Sequence, residues 1–383
     1  ITTLTNSNSL RNIFVVKYDT SGNVLWAKNA SKSGTAASVN GNCISVDGSG
    51  NVFVTGYFLA YYFTGNSISF GSGTLTDSLD GNDVFVVKYS PSGNTLWSKK
   101  SKGNIDEQGL GISTDGNGNV FITGFFKSDS IKFSGITLNN SGGTSCSING
   151  CKDIFIVKYD ALGNVLWARS AGGYNNDDLG WSISADENGN AYITGQATTY
   201  TLNFGSVTLN NNTSSYFIVK YDASGNDLWV KGASGNAYCI GRSLIADTES
   251  NIYVTGYFNN SNTTFGSIIL TNASTNTFDI FVVKYDSLGN VIWAENVGYT
   301  NHDWGYGIAV DSTKSVLVTG FFQSVFVTFG SYSVSNANSG IADIFIAKLC
   351  QDSPPPAITA NGPTTFCQGD SVILTSSAAN TYL

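Results

Sequence analysis

The chain has 383 residues, a formal net charge of −8, and only 12% of its residues charged, about half the share usual in a globular protein. Gly, Ser, Thr and Asn fill the polar positions, and the three arginines, Arg11, Arg169 and Arg242, stand far apart. That excludes nucleic acid as a partner, since neutralising phosphates takes clustered cations, and no apolar run reaches the roughly 20 residues of a membrane span.

From the N-terminal side, ITTLTNSNSLRN matches the middle of a later segment, IILTNASTNTFD (268–279), and no methionine occurs anywhere. Further sequence is therefore expected upstream, where a secretion signal would lie. A segment close to IFVVKYDxxGNVLWAK follows and recurs, its lysine falling at Lys17, Lys88, Lys158, Lys220, Lys284 and Lys348. A period of roughly 65 residues fixes the architecture before any single residue does. Within one period four apolar runs alternate with turns, as in GIAVD, VLVTGFF, IFVVKYD and VIWAEN; we call them strands a, b, c and d. They are rich in Val, Ile, Phe, Tyr and Thr and nearly continuous in apolar character, which predicts strands in sheets covered on both faces. The a-to-b links (Asp47 to Asn51, Asp115 to Asn119, Asp186 to Asn190) and the c-to-d links (Asp19 to Asn23, Asp160 to Asn164, Asp222 to Asn226, Asp286 to Asn290) are short and stereotyped. Asp caps such a turn and Gly takes its positive φ, so tight hairpins are expected. Alternating Asp and Asn also offer oxygens to calcium, but each turn supplies one strong acid where calcium needs several, so no metal and no cofactor is expected. Trp26, Trp97, Trp167, Trp229 and Trp293 hold equivalent places in the d strands and are expected to pack between neighbouring sheets. Four-stranded antiparallel meanders repeated head to tail predict an all-β chain, a β-propeller with five blades' worth of sheet over residues 1–350, whose parent ring has six blades or more. Tandem immunoglobulin-like sandwiches need about 100 residues per unit and do not fit this period.

The strings SVDGSGNVFVTGYF (45–58), GIAVDSTKSVLVTGFF (307–322) and DIFVVKYDSLGNVIWAENVG (279–298) resemble the bacterial β-propeller repeat called SBBP, over about residues 10–350. The resemblance implies a secreted or cell-surface propeller, usually without an assigned activity. The unit at 307–320 departs by turning through STKS where others use Gly-Asn, which leaves its hairpin geometry open. Residues 351–356, QDSPPP, read as a stiff linker. Residues 357–383 resemble the opening strands of an immunoglobulin-like module of secreted Bacteroidota proteins, too short to close a sandwich.

Cys43, Cys146, Cys151, Cys239, Cys350 and Cys367 show no CxxC spacing. Cys146 and Cys151, in SCSINGC, are expected to form a short disulfide suited to an oxidising compartment, and Cys367 to pair beyond the sequence. Cys43 and Cys239 fall in different blades and read as buried thiols. In a meander the a-to-b and c-to-d turns share one face, leaving the long, variable b-to-c and d-to-a connections on the other, where binding residues are expected. There an acid stands two residues before a glycine: Glu107 before Gly109, Asp178 before Gly180, Asp303 before Gly305, while Gly41 and Gly241 keep the glycine without the acid. The glycines read as close approaches of inner strands; the acids read either as turn caps or as a ring of carboxylates at the channel mouth that attracts a cation or a hydroxylated ligand. Beside them lie Trp181 with Tyr174, and His302 with Trp304 and Tyr306, types that stack on sugars or pack the loops; Tyr57, Tyr61, Tyr62 and Phe63 make a third aromatic group that covers its own blade. For an enzyme, the sequence offers one histidine, His302, no nucleophile motif and no arginine cluster, leaving Asp177, Asp178 and Asp303 as the candidate glycosidase acids. The expectation is a non-catalytic secreted or surface propeller for adhesion, binding an extracellular glycan or protein through Glu107, Asp178, Trp181, His302, Asp303, Trp304 and Tyr306. A carbohydrate-active enzyme and a ligandless spacer are the alternatives.

Overall fold

The computed structural model describes residues 3–6, 11–33, 37–60, 67–76, 81–142, 151–173, 176–210, 216–235, 238–259, 262–338 and 340–349, with two short strands beyond. Four sheets have four antiparallel strands in chain order a, b, c, d. Blade 1 is Ala37–Val46, Val52–Ala60, Asn82–Tyr89 and Thr95–Lys100; blade 2 is Glu107–Thr114, Val120–Phe126, Asp153–Tyr159 and Val165–Ala171. Blade 3 is Asp178–Ala185, Ala191–Ala197, Tyr216–Tyr221 and Asp227–Gly232; blade 4 is Cys239–Ala246, Ile252–Phe258, Asp279–Tyr285 and Val291–Val297. Blade 5 has three strands, Asp303–Val310, Val316–Phe322 and Asp343–Leu349, and a c–d ladder, Phe14–Tyr18 with Val24–Asn29, precedes blade 1. The described chain is all-β and built as propeller blades, as the repeat predicts. Beyond blade 5, Ile358–Ala360 pairs antiparallel with Leu374–Ser376; no described helix is long and apolar enough to cross a membrane.

The core lies between blades. On one c strand, Ile154 and Ile156 join a cluster with Ile183, Ile193 and Phe217 of blade 3, whereas Phe155 and Val157 join Phe53, Val84 and Val86 of blade 1. Both faces are thus buried, which is why these strands are apolar throughout. At the two ends of the series one side stays open: Phe14 is 71% exposed and Ile344 85%.

The repeated lysine and tryptophan explain each other. Lys88 Nζ and Trp97 Nε1 both donate to the carbonyl of Ala161, in the c-to-d turn of the next blade, at 3.1 Å each. Lys158 and Trp167 hold Ala223 in the same way, and Lys220 and Trp229 hold Ser287. Each lysine also lies over an aromatic ring of its own b strand, Lys158 at 4.8 Å from the Phe121 centroid. The recurrent IFVVKY…LW string is therefore a clamp from one blade to the next.

The turn face is as uniform as expected. Asp47 Oδ1 accepts from the N–H groups of Ser49 and Asn51 at 3.0 and 2.9 Å, and Oδ2 accepts from Asn51 Nδ2. The STKS turn keeps this geometry: Asp311 N donates to Ser315 O at 3.0 Å, and Lys314 takes the left-handed conformation with φ 64°. Among the described residues no group of three or more His, Cys, Asp or Glu side chains is placed to hold a metal.

The b-to-c connections differ from the expected variable loops. Each contains a two-stranded hairpin: Ser67–Phe70 with Gly73–Thr76, Ser130–Phe133 with Ile136–Asn139, Thr201–Asn203 with Thr208–Asn210, Asn262–Phe265 with Ile268–Thr271, and Phe326–Phe329 with Tyr332–Ser335. A buried phenylalanine at or just after the end of each first strand packs on a c-strand phenylalanine, as Phe133 on Phe155 at 5.1 Å and Phe265 on Phe281 at 4.9 Å. Three hairpins also pair with the segment arriving from the preceding blade, at Lys102 with Lys132, Gly172 with Asn203 and Ser234 with Thr264. They are structural ties, and the search for function contracts to the d-to-a segments and the inner strands.

Candidate functional site

The three expected acids sit at the first residue of their a strands and are buried. Asp178 Oδ1 accepts from Thr198 N at 3.0 Å and Oδ2 from Gly173 N at 3.0 Å. Asp303 accepts from Ser324 Oγ at 2.7 Å and Tyr299 N at 3.1 Å, and Glu107 from Ser128 Oγ. Each carboxylate thus ties the incoming d-to-a segment to the end of strand b. Burial pushes Glu107 up to about 8 and Asp178 up to about 7, with Asp83 and Asp153 respectively adding repulsion, and raises Asp303 as well. Asp177 lies at the surface in an ion pair with Lys152 at 2.6 Å. Tyr174, Tyr61, Tyr62, Phe63 and Cys146 lie outside the described residues, so the expected Cys146–Cys151 bridge does too; Tyr57 is half-buried in strand b of blade 1. Cys43 and Cys239 are free thiols, Cys239 fully buried.

The glycine after each acid has a steric cause. A Cβ on Gly180 would collide with the Thr123 hydroxyl of the preceding blade, and that hydroxyl is fixed by donating to Phe155 O at 2.8 Å. Immediately after this glycine the a–b register slips in all five blades, between Gly41 and Cys43, Gly109 and Gly111, Gly180 and Ser182, Gly241 and Ser243, and Gly305 and Gly307. Asn42, Leu110, Trp181, Arg242 and Tyr306 are therefore bulged residues, freed from the ladder on the strand nearest the axis. The a strands of successive blades neighbour one another, so these five side chains share the inner rim.

Three of the five come together. The Arg242 guanidinium lies 3.9 Å from the Trp181 ring centroid and 4.7 Å from that of Tyr306, so it is held between blades 3 and 5. Among the described residues no hydrogen bond or ion pair reaches this guanidinium, and the buried Trp181 Nε1 has no acceptor. An aromatic cluster continues outward. Tyr306 stacks 5.1 Å from Phe321, which meets Trp304 at 4.5 Å; Trp304 stacks on His302 at 5.3 Å, and Phe278 meets His302 at 5.3 Å and Tyr257 at 5.2 Å. These rings are half-buried, with Tyr306 39% exposed. His302 Nδ1 accepts from Phe278 N at 3.3 Å, which leaves Nε2 as its donor. Burial pushes Tyr257 up to about 12 while the Arg242 charge pulls it back.

No protein-family model matches the chain. It is 28% identical over 390 residues to an uncharacterized WD repeat-containing protein of Acanthamoeba polyphaga mimivirus, a match covering 85% of this chain and 27% of that protein. The chain thus spans about a quarter of the length of this relative. Among solved structures it is similar to the WD40 domain of Neurospora crassa Pan2, at 10% identity over 84% of this chain and 81% of that one, with a TM-score of 0.36. A Bacteroides caccae protein of unknown function is 12% identical over 75% of this chain and 94% of that one, with a TM-score of 0.33. The sheet order is that of β-propeller blades, and the chain is similar in sequence to a WD repeat-containing protein.

Of the expected site residues, the structure brings Trp181 and Tyr306 together around Arg242, and His302 with Trp304 beside them. It keeps Glu107, Asp178 and Asp303 apart in separate joints between blades. Arg242 is the residue that sequence reasoning missed. Its signal is positional: it directly follows the glycine that recurs in all five inner strands, where the next residue reads Asn, Leu, Trp, Arg and Tyr.

Proposed function

We propose that the protein is a non-catalytic binding propeller, secreted or displayed on a cell surface, which holds an extracellular partner on the loop-bearing face of blades 3 to 5. The observation that carries this reading is the half-exposed run of Tyr257, Phe278, His302, Trp304, Tyr306 and Phe321, carried by the a and b strands of blades 4 and 5 and the segments that join them. Rigid aromatic rings on a scaffold lose little entropy when a ligand stacks on them. The location outside the cell rests on the SBBP-like repeats and the immunoglobulin-like segment that follows them. Burial and internal hydrogen bonds of Asp178 and Asp303 favour binding over glycoside chemistry, which needs two carboxyl groups facing one bond. The test is a glycan and protein array probed with the intact chain and with Trp304→Ala. Retention on at least one class, lost in the variant without a change in unfolding midpoint, is the expected result; turnover of a polysaccharide, or binding indifferent to Trp304, would sink the reading.

A further inference from the structure

Resting on that binding reading, we infer that Arg242 is the anchor for a carboxylate of the ligand, and that the ligand is an acidic carbohydrate of the uronate class.

The geometry selects the acceptor. Rings of Trp181 and Tyr306 lie against the guanidinium at 3.9 and 4.7 Å, contacts that use none of its planar N–H donors as hydrogen bonds. Those donors match the two coplanar oxygens of a carboxylate in a bidentate pair. The two rings also hold the side chain in place, so little rotamer entropy remains to be lost on binding.

The charge arrangement points the same way. With 27 Asp and Glu against 19 Lys and Arg, a cation has many acids available, yet none of the described ones pairs with Arg242. The nearest acids by position in the repeat, Asp178 and Asp303, are already accepting hydrogen bonds in their own joints. A second donor, the buried Trp181 Nε1–H, has no acceptor either. A partly exposed guanidinium without an acceptor is what a carboxylate satisfies, and a ligand lacking one would leave it unmet. Polarity is the reverse of the carboxylate ring that the sequence suggests: the acids are interior, and the accessible charge at the rim is positive.

The rest of the ligand follows from what adjoins the guanidinium. Tyr306 leads through Phe321 to Trp304, ring against ring, at 5.1 and 4.5 Å, a platform suited to the apolar face of a pyranose. The surrounding surface is poor in charge and rich in Asn, Ser and Thr, which suits hydroxyls better than a charged peptide.

Calorimetry on the intact chain would use three probes: an oligogalacturonate, the same oligomer as its methyl ester, and a glutamate-rich peptide. The expected result is binding of the oligogalacturonate with at least about tenfold preference over the ester, because removing one partner of a charged hydrogen-bonded pair costs on that scale. Arg242→Gln should lose about tenfold in affinity for the acid and nothing for the ester, Arg242→Lys should restore less than half of the loss, and Trp181→Ala, which removes one of the two rings that hold the guanidinium, should weaken binding a few fold. Equal binding of acid and ester, or an Arg242→Gln variant that binds as the parent does, would overturn the carboxylate anchor. If Trp304→Ala still abolished binding then, the broader binding reading would stand. Preference for the peptide would overturn the carbohydrate class, and silence from all three probes would overturn the inference. Should Arg242→Gln fail to fold, the acid-against-ester comparison on the parent still decides.

Discussion

The joints between blades come in two kinds. In three of them a buried acid at the start of strand c faces a buried acid at the start of the next strand a: Asp83 with Glu107, Asp153 with Asp178, and Asp279 with Asp303. In the other two the equivalent repeat positions are neutral: Asn12 with Val39 before blade 1, and Cys239 between blades 3 and 4, whose counterpart in the repeat, Ser215, lies outside the described residues. No joint keeps only one acid of the pair. The acids therefore act as a unit of construction, and a ring of ligand-seeking carboxylates would have no reason to come and go two at a time. One oxygen in each acidic joint, Glu107 Oε2, Asp153 Oδ1 or Asp279 Oδ1, is buried without a donor, the place a proton would occupy.

Breaking an acidic joint on one side should have the largest effect. Asp178→Ala strips the acceptor from the N–H groups of Gly173, Thr198 and Thr199 and leaves Asp153 alone, at a cost of about 3 kcal/mol in denaturant unfolding. Cys239→Ala, at the same position of a neutral joint, removes one sulfur from a packed site and should cost about 1 kcal/mol. Equal losses would show that the two kinds of joint are held by the same packing.

The pH dependence separates them next. Folded-state values of about 8 for Glu107, about 7 for Asp178 and about 6 for Asp153 and Asp279 lie above the unfolded carboxyl range near 4. The folded joint thus prefers the protonated acids: their contribution is complete below about pH 4 and is lost as pH rises through 6 to 8. The turn aspartates work in the opposite sense. Hydrogen bonds from Asn164, Asn226 and Asn290 lower Asp160, Asp222 and Asp286 despite partial burial, so their contribution holds above about pH 4 and is lost as pH falls. Hydrogen exchange between pH 5 and 9 should show the blade 2–3 joint loosening with rising pH and the blade 3–4 joint unchanged. Asp178→Asn should flatten the first slope.

The blades were legible in the sequence because one strand's content is dictated twice, by the neighbour on each side, so apolar runs recur in every unit and the turn aspartate in all turns but one, where Ser90 accepts from Asn94 N in its place. The b-to-c hairpins were not, although Phe70, Phe133, Phe204, Phe265 and Phe329 recur as faithfully. Their short polar strands, such as Thr201–Asn203, carry too little apolar alternation to announce a strand, and they are held by the packing of that phenylalanine on strand c and by pairing with the incoming segment, as Gly172 with Asn203. At the site, Trp181 and Tyr306 could be singled out as aromatics beside glycines. Arg242 could not, because its meaning depends on a one-residue slip of register that brings side chains from three blades onto one rim.

The subtlest expected effect comes from converting one kind of joint into the other. Asp153→Ser combined with Asp178→Cys copies the pair that blade 3 and blade 4 use at the same two positions. Each single change leaves one buried acid facing a neutral group; Asp178→Cys removes the acceptor of Gly173 N, and Asp153→Ser removes the acceptor of Ser141 N, bonded at 2.6 Å. The singles should each cost about 2 kcal/mol from unsatisfied donors, offset in part because either change already relieves the repulsion between the two acids. In the double variant that relief comes once and not twice, so the loss should be about 1 kcal/mol larger than the sum of the singles. A double-mutant cycle by denaturant unfolding at pH 8, where the acids are most costly, reads that coupling directly. Repeating the cycle at pH 4.5, where the folded joint holds both acids protonated, should shrink it, and a coupling that ignored pH would mean the pairing of acids reflects shape and not charge.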